Sequence, residues 1–284
     1  MNSKKFFAKI YNKFFNSLKG SGLSKYKNLQ KIHSFIARQI KSEFVDIYGL
    51  KLYLGKSDDG MYSSGNFYKG YYFDLLEKEI KIGEHVVDIG AKIGIYTLAL
   101  SKFVGLPGKV FSFEPTPESF EILRKNKQVN NLDNVVIEQK AVTDKNEIGM
   151  LEFREFSGKN RINNDCKNGV SVDCVNLDSY FLGKEKSISF IKIDVEGSEP
   201  RVLSGMKNIL EKNKKIKILF EYNPTLISYY KTKPEKILEE LTKQGFSLFD
   251  LEKDYDIEVN VEHFVNNYNN TQKLTNVLAK QKSP

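Results

Sequence analysis

The stretch Val86-Val87-Asp88-Ile89-Gly90-Ala91-Lys92-Ile93-Gly94 constrains this chain more than any other. Two β-branched residues run into an acid, two glycines follow four apart, and then comes the apolar run Ile95-Tyr96-Thr97-Leu98-Ala99-Leu100. That order predicts a buried strand, a tight turn and a helix packed back on its sheet. Gly90 is expected to supply a backbone angle closed to other residues, and Gly94 to let helix and ligand approach closely. A dinucleotide fold places G-x-G-x-x-G here, so that backbone N–H groups face a pyrophosphate. In this chain Asp88 stands where the first Gly would be, and the last Gly comes one place late. A carboxylate at the mouth of the turn repels a pyrophosphate and suits a cationic ligand. A nicotinamide dehydrogenase is therefore a poor reading.

Strand-like and helix-like runs alternate through the rest of the chain. Strands are expected at 110–113, 135–138, 188–194, 216–221, 246–251 and 273–278. One helix is expected from Pro117, with Thr116 as N-cap, to about residue 129. A second is expected over 199–211, and a third opens with a capping box at Thr232-Lys233-Pro234-Glu235 and ends at Gly245. Weaker alternating runs at 149–153 and 170–175 read as an antiparallel insertion. Ahead of the first core strand lie short strands at 45–48 and 50–54, a Tyr/Phe/Gly-rich stretch at 62–72 and a helix over 73–79. Alternation of this kind gives a parallel sheet with right-handed crossovers, whose ligands sit at the carboxyl ends of the strands. The acidic strand ends Asp88, Glu114, Asp194 and Glu221 are all expected to face that crevice.

Among these acids, Glu114 follows Gly94 by twenty residues, where a carboxylate can accept the hydroxyls of an adenosine ribose. Lys192-Ile193-Asp194-Val195-Glu196-Gly197-Ser198-Glu199 places three carboxylates within six residues at a strand-to-helix turn. Such crowding is costly unless a ligand or protons offset it. Asp194 and Glu196 are read as facing ligand, and Glu199 as favouring the helix N-terminus. Lys192, mid-strand, requires a buried partner, one of these acids. His85 and His33 read as structural or surface residues, and His263 as an alternative base at the rim. No His/Cys/Asp cluster has metal-ligand spacing, so no metal is expected.

Several stretches together resemble the FkbM family of methyltransferases. They are Asp88 to Gly94, Phe113-Glu114-Pro115, Leu123 with Asn126 and Asn130, Ala141-Val142-Thr143-Asp144, Leu177-Asp178-Ser179-Tyr180, and Lys192-Ile193-Asp194-Val195-Glu196-Gly197. D-x-G-x-x-x-G is also the wider pattern of S-adenosylmethionine-dependent methyltransferases. The resemblance implies an α/β class I methyltransferase, Rossmann-like, with a seven-stranded sheet whose last strand is antiparallel. It implies S-adenosyl-L-methionine as cofactor, held by Asp88, Gly90, Ala91, Lys92, Gly94, Glu114 and Ala141. It also implies methyl transfer to a hydroxyl of a sugar, glycan, lipid or secondary metabolite. Asp194 is then the expected base or orienting acceptor, with Glu196 and Glu221 fixing the acceptor's other hydroxyls. Two positions depart from the family: Lys92 stands where Asn is usual, and Phe73 where many members have Glu. The competing readings are an RNA methyltransferase with a basic arm, and a catalytically silent cofactor-binding or membrane-tethered module.

Composition bears mainly on the N-terminus. The chain has 284 residues, is 40% hydrophobic and carries a net charge of +8. Residues 1–42 hold ten Lys or Arg and no acid; the remainder, with 34 basic and 36 acidic residues, is close to neutral. Phe6, Phe7, Ile10, Tyr11, Phe14, Phe15 and Leu18 fall on one helical stripe between lysines. That stripe suits packing on the main domain, or peripheral contact of residues 4–18 with an anionic membrane. No stretch approaches the roughly eighteen apolar residues of a membrane span, and no signal-peptide pattern is present. Cys166 and Cys174 form no metal pattern, and so few cysteines fit a reducing, cytoplasmic setting. The expected layout is a basic amphipathic helical extension over 1–42, a lead-in with a substrate lid over 43–80, and the methyltransferase domain over 81–284. A small-molecule or glycan/lipid hydroxyl acceptor is the expected partner, and nucleic acid is not. Acceptor identity and oligomeric state are not legible.

Overall fold

The computed structural model describes residues 43–55, 71–153, 160–183, 187–253, 256–271 and 273–281. The extension expected over 1–42, and all of the Tyr/Phe/Gly-rich stretch at 62–72 but its last two residues, lie outside these.

Strands β1 (Phe44–Ile47) and β2 (Leu50–Tyr53) form an antiparallel hairpin about Tyr48-Gly49. Helix α1 (Tyr71–Glu79) leads into β3 (His85–Ile89), α2 (Ile95–Val104), β4 (Lys109–Phe113), α3 (Pro117–Val129) and β5 (Val135–Glu138). Then β6 (Ala141–Val142), β7 (Glu147–Glu152), β8 (Arg161–Ile162) and β9 (Gly169–Val175) make a separate four-stranded sheet, β6-β9-β7-β8. This is the expected insertion, with two strands more than its hydrophobic alternation predicts. The chain continues through α4 (Leu177–Tyr180), β10 (Ile188–Ile193), α5 (Glu199–Ser204), α6 (Lys207–Lys212), β11 (Lys217–Tyr222) and α7 (Pro224–Ser228). It closes with α8 (Glu235–Lys243), β12 (Phe246–Asp250), α9 (Val261–Thr271) and β13 (Thr275–Gln281).

The main sheet has seven strands in the order β12-β13-β11-β10-β3-β4-β5. β3, β4, β5, β10 and β11 are parallel, while β13 runs antiparallel to both of its neighbours. The chain moves outward from β3 through β4 and β5, then returns to its other side at β10. Strand order reverses between β3 and β10, and such a switch point opens the crevice where α/β sheets bind ligands.

Both faces of the sheet are covered, and the side-chain period of two sorts its residues between them. Val87, Ile89, Ile191 and Ile193 join one buried cluster with Leu203 and Leu210. Val86 and Phe190 join the other, with Leu98 and Leu100 of α2. By the same alternation, Asp88 and Lys192 fall on the α2 side.

Three local expectations are corrected. The helix expected over 199–211 breaks at Gly205-Met206, where Gly205 presses on the residue after β6: a Cβ there would lie 2.2 Å from the Thr143 carbonyl oxygen. Thr116 occupies the N-cap position of α3, but its side chain makes no cap hydrogen bond and turns to Glu114 instead. No capping box forms at α8, whose N-cap is Pro234, since the Thr232 hydroxyl donates to the Tyr230 carbonyl.

Candidate active site

Two loops meet at the switch point: residues 90–94 after β3, and residues 194–198 after β10. The Asp194 N–H donates to the Ile89 carbonyl at 3.1 Å. Gly90 has φ 75°, and a Cβ on it would lie 1.9 Å from the Asp194 carbonyl oxygen. Glycine is therefore required at this crossing on both counts. Gly94 (φ 95°) allows the expected close helix packing, since a Cβ there would lie 2.6 Å from Leu123 of α3. Lys92 is also left-handed at φ 50°, a conformation that Asn tolerates better than Lys.

A cleft with about 560 Å³ of empty space opens at this crossing. Of the expected residues, Gly90, Lys92, Glu114, Ala141, Asp194 and Glu196 line it; Asp88, Ala91, Gly94 and Glu221 do not. Asp88 corrects the expectation of an acid facing the crevice, because it is fully buried. Its Oδ2 accepts from the Thr97 hydroxyl at 2.7 Å, and its Oδ1 lies 3.3 Å from Lys192 Nζ. The cation that Asp88 holds is thus the chain's own. Lys192 Nζ also donates to the Gly90 carbonyl at 3.1 Å, lies 3.6 Å from Asp194 Oδ2 and sits over the Tyr96 ring. The partner that Lys192 requires is therefore Asp88 and Asp194 together. Thr97, absent from the expected site, was signalled only as a hydroxyl within an apolar helical run.

Glu114 lies at the end of β4 and is 4% exposed. Its carboxylate accepts from the backbone N–H of Lys92 and of Thr116, each at 2.8 Å. Burial raises its pKa, against those hydrogen bonds and the Lys92 charge. Lys92 spans the cleft, its Nζ 3.5 Å from Asp194 and 3.3 Å from Glu196.

The carboxyls beyond Lys92 differ in character. Burial opposes ionisation of Asp194, but Lys92 and Lys192 outweigh it and hold the group below the ordinary aspartate value. Glu221, on β11, is pushed up to about 7 by burial, then by the charges of Asp194 and Glu196. Glu199 stands in the first turn of α5, as expected, and is 1% exposed. Its Oε1 accepts from the Val195 and Gly197 N–H groups at 3.2 and 3.3 Å, and burial pushes its pKa up to about 8. The group acts as a neutral strut inside its own loop.

His263 is exposed on α9 and His85 opens β3; neither lines the cleft. Phe73, buried on α1, packs 5.3 Å from the Tyr96 ring. Among the described residues, no cluster of three or more His, Cys, Asp or Glu side chains is arranged to hold a metal ion. No helix among them is long and apolar enough to cross a membrane.

The sheet order and the crossing of two loops at its switch point define a class I methyltransferase fold. The model of the methyltransferase FkbM domain matches residues 88–248, more than half of the chain. The chain belongs to the FkbM methyltransferase family. A second family model, protein-L-isoaspartate(D-aspartate) O-methyltransferase, matches residues 11–146. Methyltransferase 1 of Beauveria bassiana is 25% identical over 145 residues, covering 43% of this chain. The match spans 57% of that relative's length. Among solved structures, the chain is similar to methyltransferase FkbM from Methylobacillus flagellatus KT, with 15% identity and a TM-score of 0.43. That match covers 88% of this chain and 59% of the other. An rRNA methylase from Streptococcus thermophilus has 12% identity and a TM-score of 0.43, over 75% and 95% of the two chains.

The cofactor this family implies is S-adenosylmethionine, and the residues present fit it. Gly90 brings the two loops together and lines the cleft with bare backbone. Glu114 already accepts from two backbone N–H groups and the Thr116 hydroxyl, and a carboxylate has about four acceptor positions, so one remains for a ribose hydroxyl. Lys92, flanked by Asp194 and Glu196, would meet the methionine carboxylate with an ammonium it shares with those acids.

Proposed function

We propose that the chain transfers a methyl group from S-adenosylmethionine to a hydroxyl oxygen of a sugar, glycan, lipid or secondary metabolite. The observation that carries this reading is a pair of unlike carboxylates at the ends of adjacent strands. Asp194 stays ionised beside two lysines, while Glu221 titrates near neutrality. Neighbouring acids pushed apart in this way divide the labour of acid–base chemistry between them. When bound, S-adenosylmethionine supplies an electrophilic methyl on a sulfonium.

Most of the rate is expected from holding oxygen and methyl aligned, and Asp194 and Glu196 suit that task as fixed hydrogen-bond acceptors. The hydroxyl must also shed a proton; Asp194 lines the cleft but the lysines make it a weaker base, while Glu221, on the adjacent strand and outside the lining, is the stronger one. Glu221 therefore joins Asp194, the expected base, as a candidate for the proton. The match to an O-methyltransferase family over residues 11–146 supports oxygen as the acceptor atom.

Metabolite and glycan profiling of deletion against wild-type cells should show a methyl-sized mass difference in one acceptor. With that acceptor, kcat/KM should rise with pH through about 7 as Glu221 loses its proton. Glu221→Gln should lower turnover about 10²–10⁴-fold and flatten the profile. Full activity in that variant would remove Glu221 from the chemistry. Cofactor binding with no methylated product would instead favour a silent module.

A further inference from the structure

The small sheet contributes one charged residue to the cleft wall that the reaction above does not use. Arg161, on β8, lines the cleft beside Asn160 and Ile162. Its side chain is 14% exposed, and its Nε donates to Glu152 Oε2 at 2.8 Å. The guanidinium carbon stands 4.5 Å from the centre of the Tyr229 ring. One ion pair and one aromatic face together fix the plane of the group, as suits planar recognition by arginine. Its Nη1, however, is buried and has no hydrogen-bond partner. A buried cationic donor left unpaired is costly, so a position like this calls for a missing acceptor.

The other charged groups of the lining are already engaged. Lys92 sits against Asp194 and Glu196, Glu114 takes two backbone N–H groups, and Lys140 lies 3.8 Å from Glu138. None of these acids is paired with Arg161. Tyr229 and Tyr230 follow α7, and the Tyr230 hydroxyl ties Ser198 to the Ile162 carbonyl. Arg161 is thereby docked against the loop after β10, the side where the acceptor hydroxyl must lie.

We propose that Arg161 is a specificity residue that binds an oxyanion, a carboxylate or a phosphate, on the acceptor. The methylated hydroxyl then belongs to an acidic molecule, such as a uronic acid or a phosphorylated sugar. Glu152 holds Nε, so the anion is recognised at the guanidinium's far edge, by directed N–H donation more than by net charge. This inference rests on the methyltransferase reading and names the acceptor class for that site.

The test is calorimetry on the full chain saturated with S-adenosylhomocysteine, using glucuronate, glucose 6-phosphate, inorganic phosphate and neutral glucose as probes. Glucuronate or glucose 6-phosphate should bind at least about tenfold more tightly than glucose, the equivalent of one charged hydrogen bond. Which of the two binds distinguishes a carboxylate from a phosphate. Arg161→Met should erase the preference, while Arg161→Lys, which keeps charge but loses the fork, should retain part of it. Affinity for S-adenosylhomocysteine should be unchanged in both, which also shows that both fold. The inference is overturned if no acidic probe outbinds glucose, if the preference survives Arg161→Met, or if that variant loses cofactor affinity. Failure of wild type to bind S-adenosylmethionine or S-adenosylhomocysteine would instead sink the methyltransferase reading itself.

Discussion

A charged residue placed mid-strand announces its own need for a partner, and Lys192 was legible for that reason. Which acid answers it was half legible: Asp194, two residues on and so on the same face, was among those expected, while Asp88, on the neighbouring strand, was not. Removing the ammonium leaves Asp88 buried with only the Thr97 hydroxyl. Lys192→Met should therefore cost about 3–5 kcal/mol in urea unfolding, and adding Asp88→Asn should recover part of the loss. An unchanged midpoint for Lys192→Met would show that the pair contributes nothing. Glu199 was not legible in this way, because its burial depends on a loop folding back over its own helix. Its folded pKa, about 8 against an ordinary 4.5, means the folded state holds more protons between those values. The stability it contributes is full below pH 4.5 and lost as pH rises through 8. Gln mimics the protonated acid and does not titrate. Glu199→Gln should then match wild type near pH 5 and exceed it by about 3–5 kcal/mol near pH 9, at about 1.4 kcal/mol per unit. Denaturant midpoints across that range check the sign, and parallel curves would refute the burial argument.

Elements with strong period or β-branching could be read to within a residue or two, as β3, β4 and β5 show. Those that depend on contacts elsewhere could not. α9 carries four Asn in eleven residues and has little helical propensity of its own; Phe264 and Tyr268 hold it on the core. The hairpin β1–β2 was visible as alternation about Gly49, but its attachment to α3 was not. Asn126, fully buried, accepts from the Tyr53 N–H at 2.7 Å and donates to the carbonyls of Tyr53 and Ile93. Asn130 exchanges both of its groups with the Lys51 backbone. One side chain thus stitches the lead-in to the residue preceding Gly94. Asn126→Ala leaves buried backbone groups unpaired and should cost about 2–4 kcal/mol. Amide exchange should quicken first at residues 50–54, with β3 and β10 still protected. Uniform loss of protection would mean that the hairpin and the sheet open as one unit.

At the scale of the whole molecule, charge divides the chain at residue 42. The described residues hold the seven-stranded sheet, and residues 43–284 are close to neutral. All of the net positive charge belongs to those first 42 residues, where Phe6 to Leu18 place an aromatic stripe among lysines. A basic segment near an anionic bilayer gains about 1 kcal/mol per Lys or Arg, and the gain fades as salt shortens the screening length. Burial of the aromatic stripe adds a contribution that salt does not remove. We expect the full chain to sediment with vesicles rich in anionic lipid at low salt, to release partly at high salt, and to ignore neutral vesicles. Deleting residues 1–20 should abolish sedimentation while S-adenosylmethionine binding persists. If that deletion unfolds the protein, the stripe belongs to the protein's own core, and the charge asymmetry serves packing rather than a membrane.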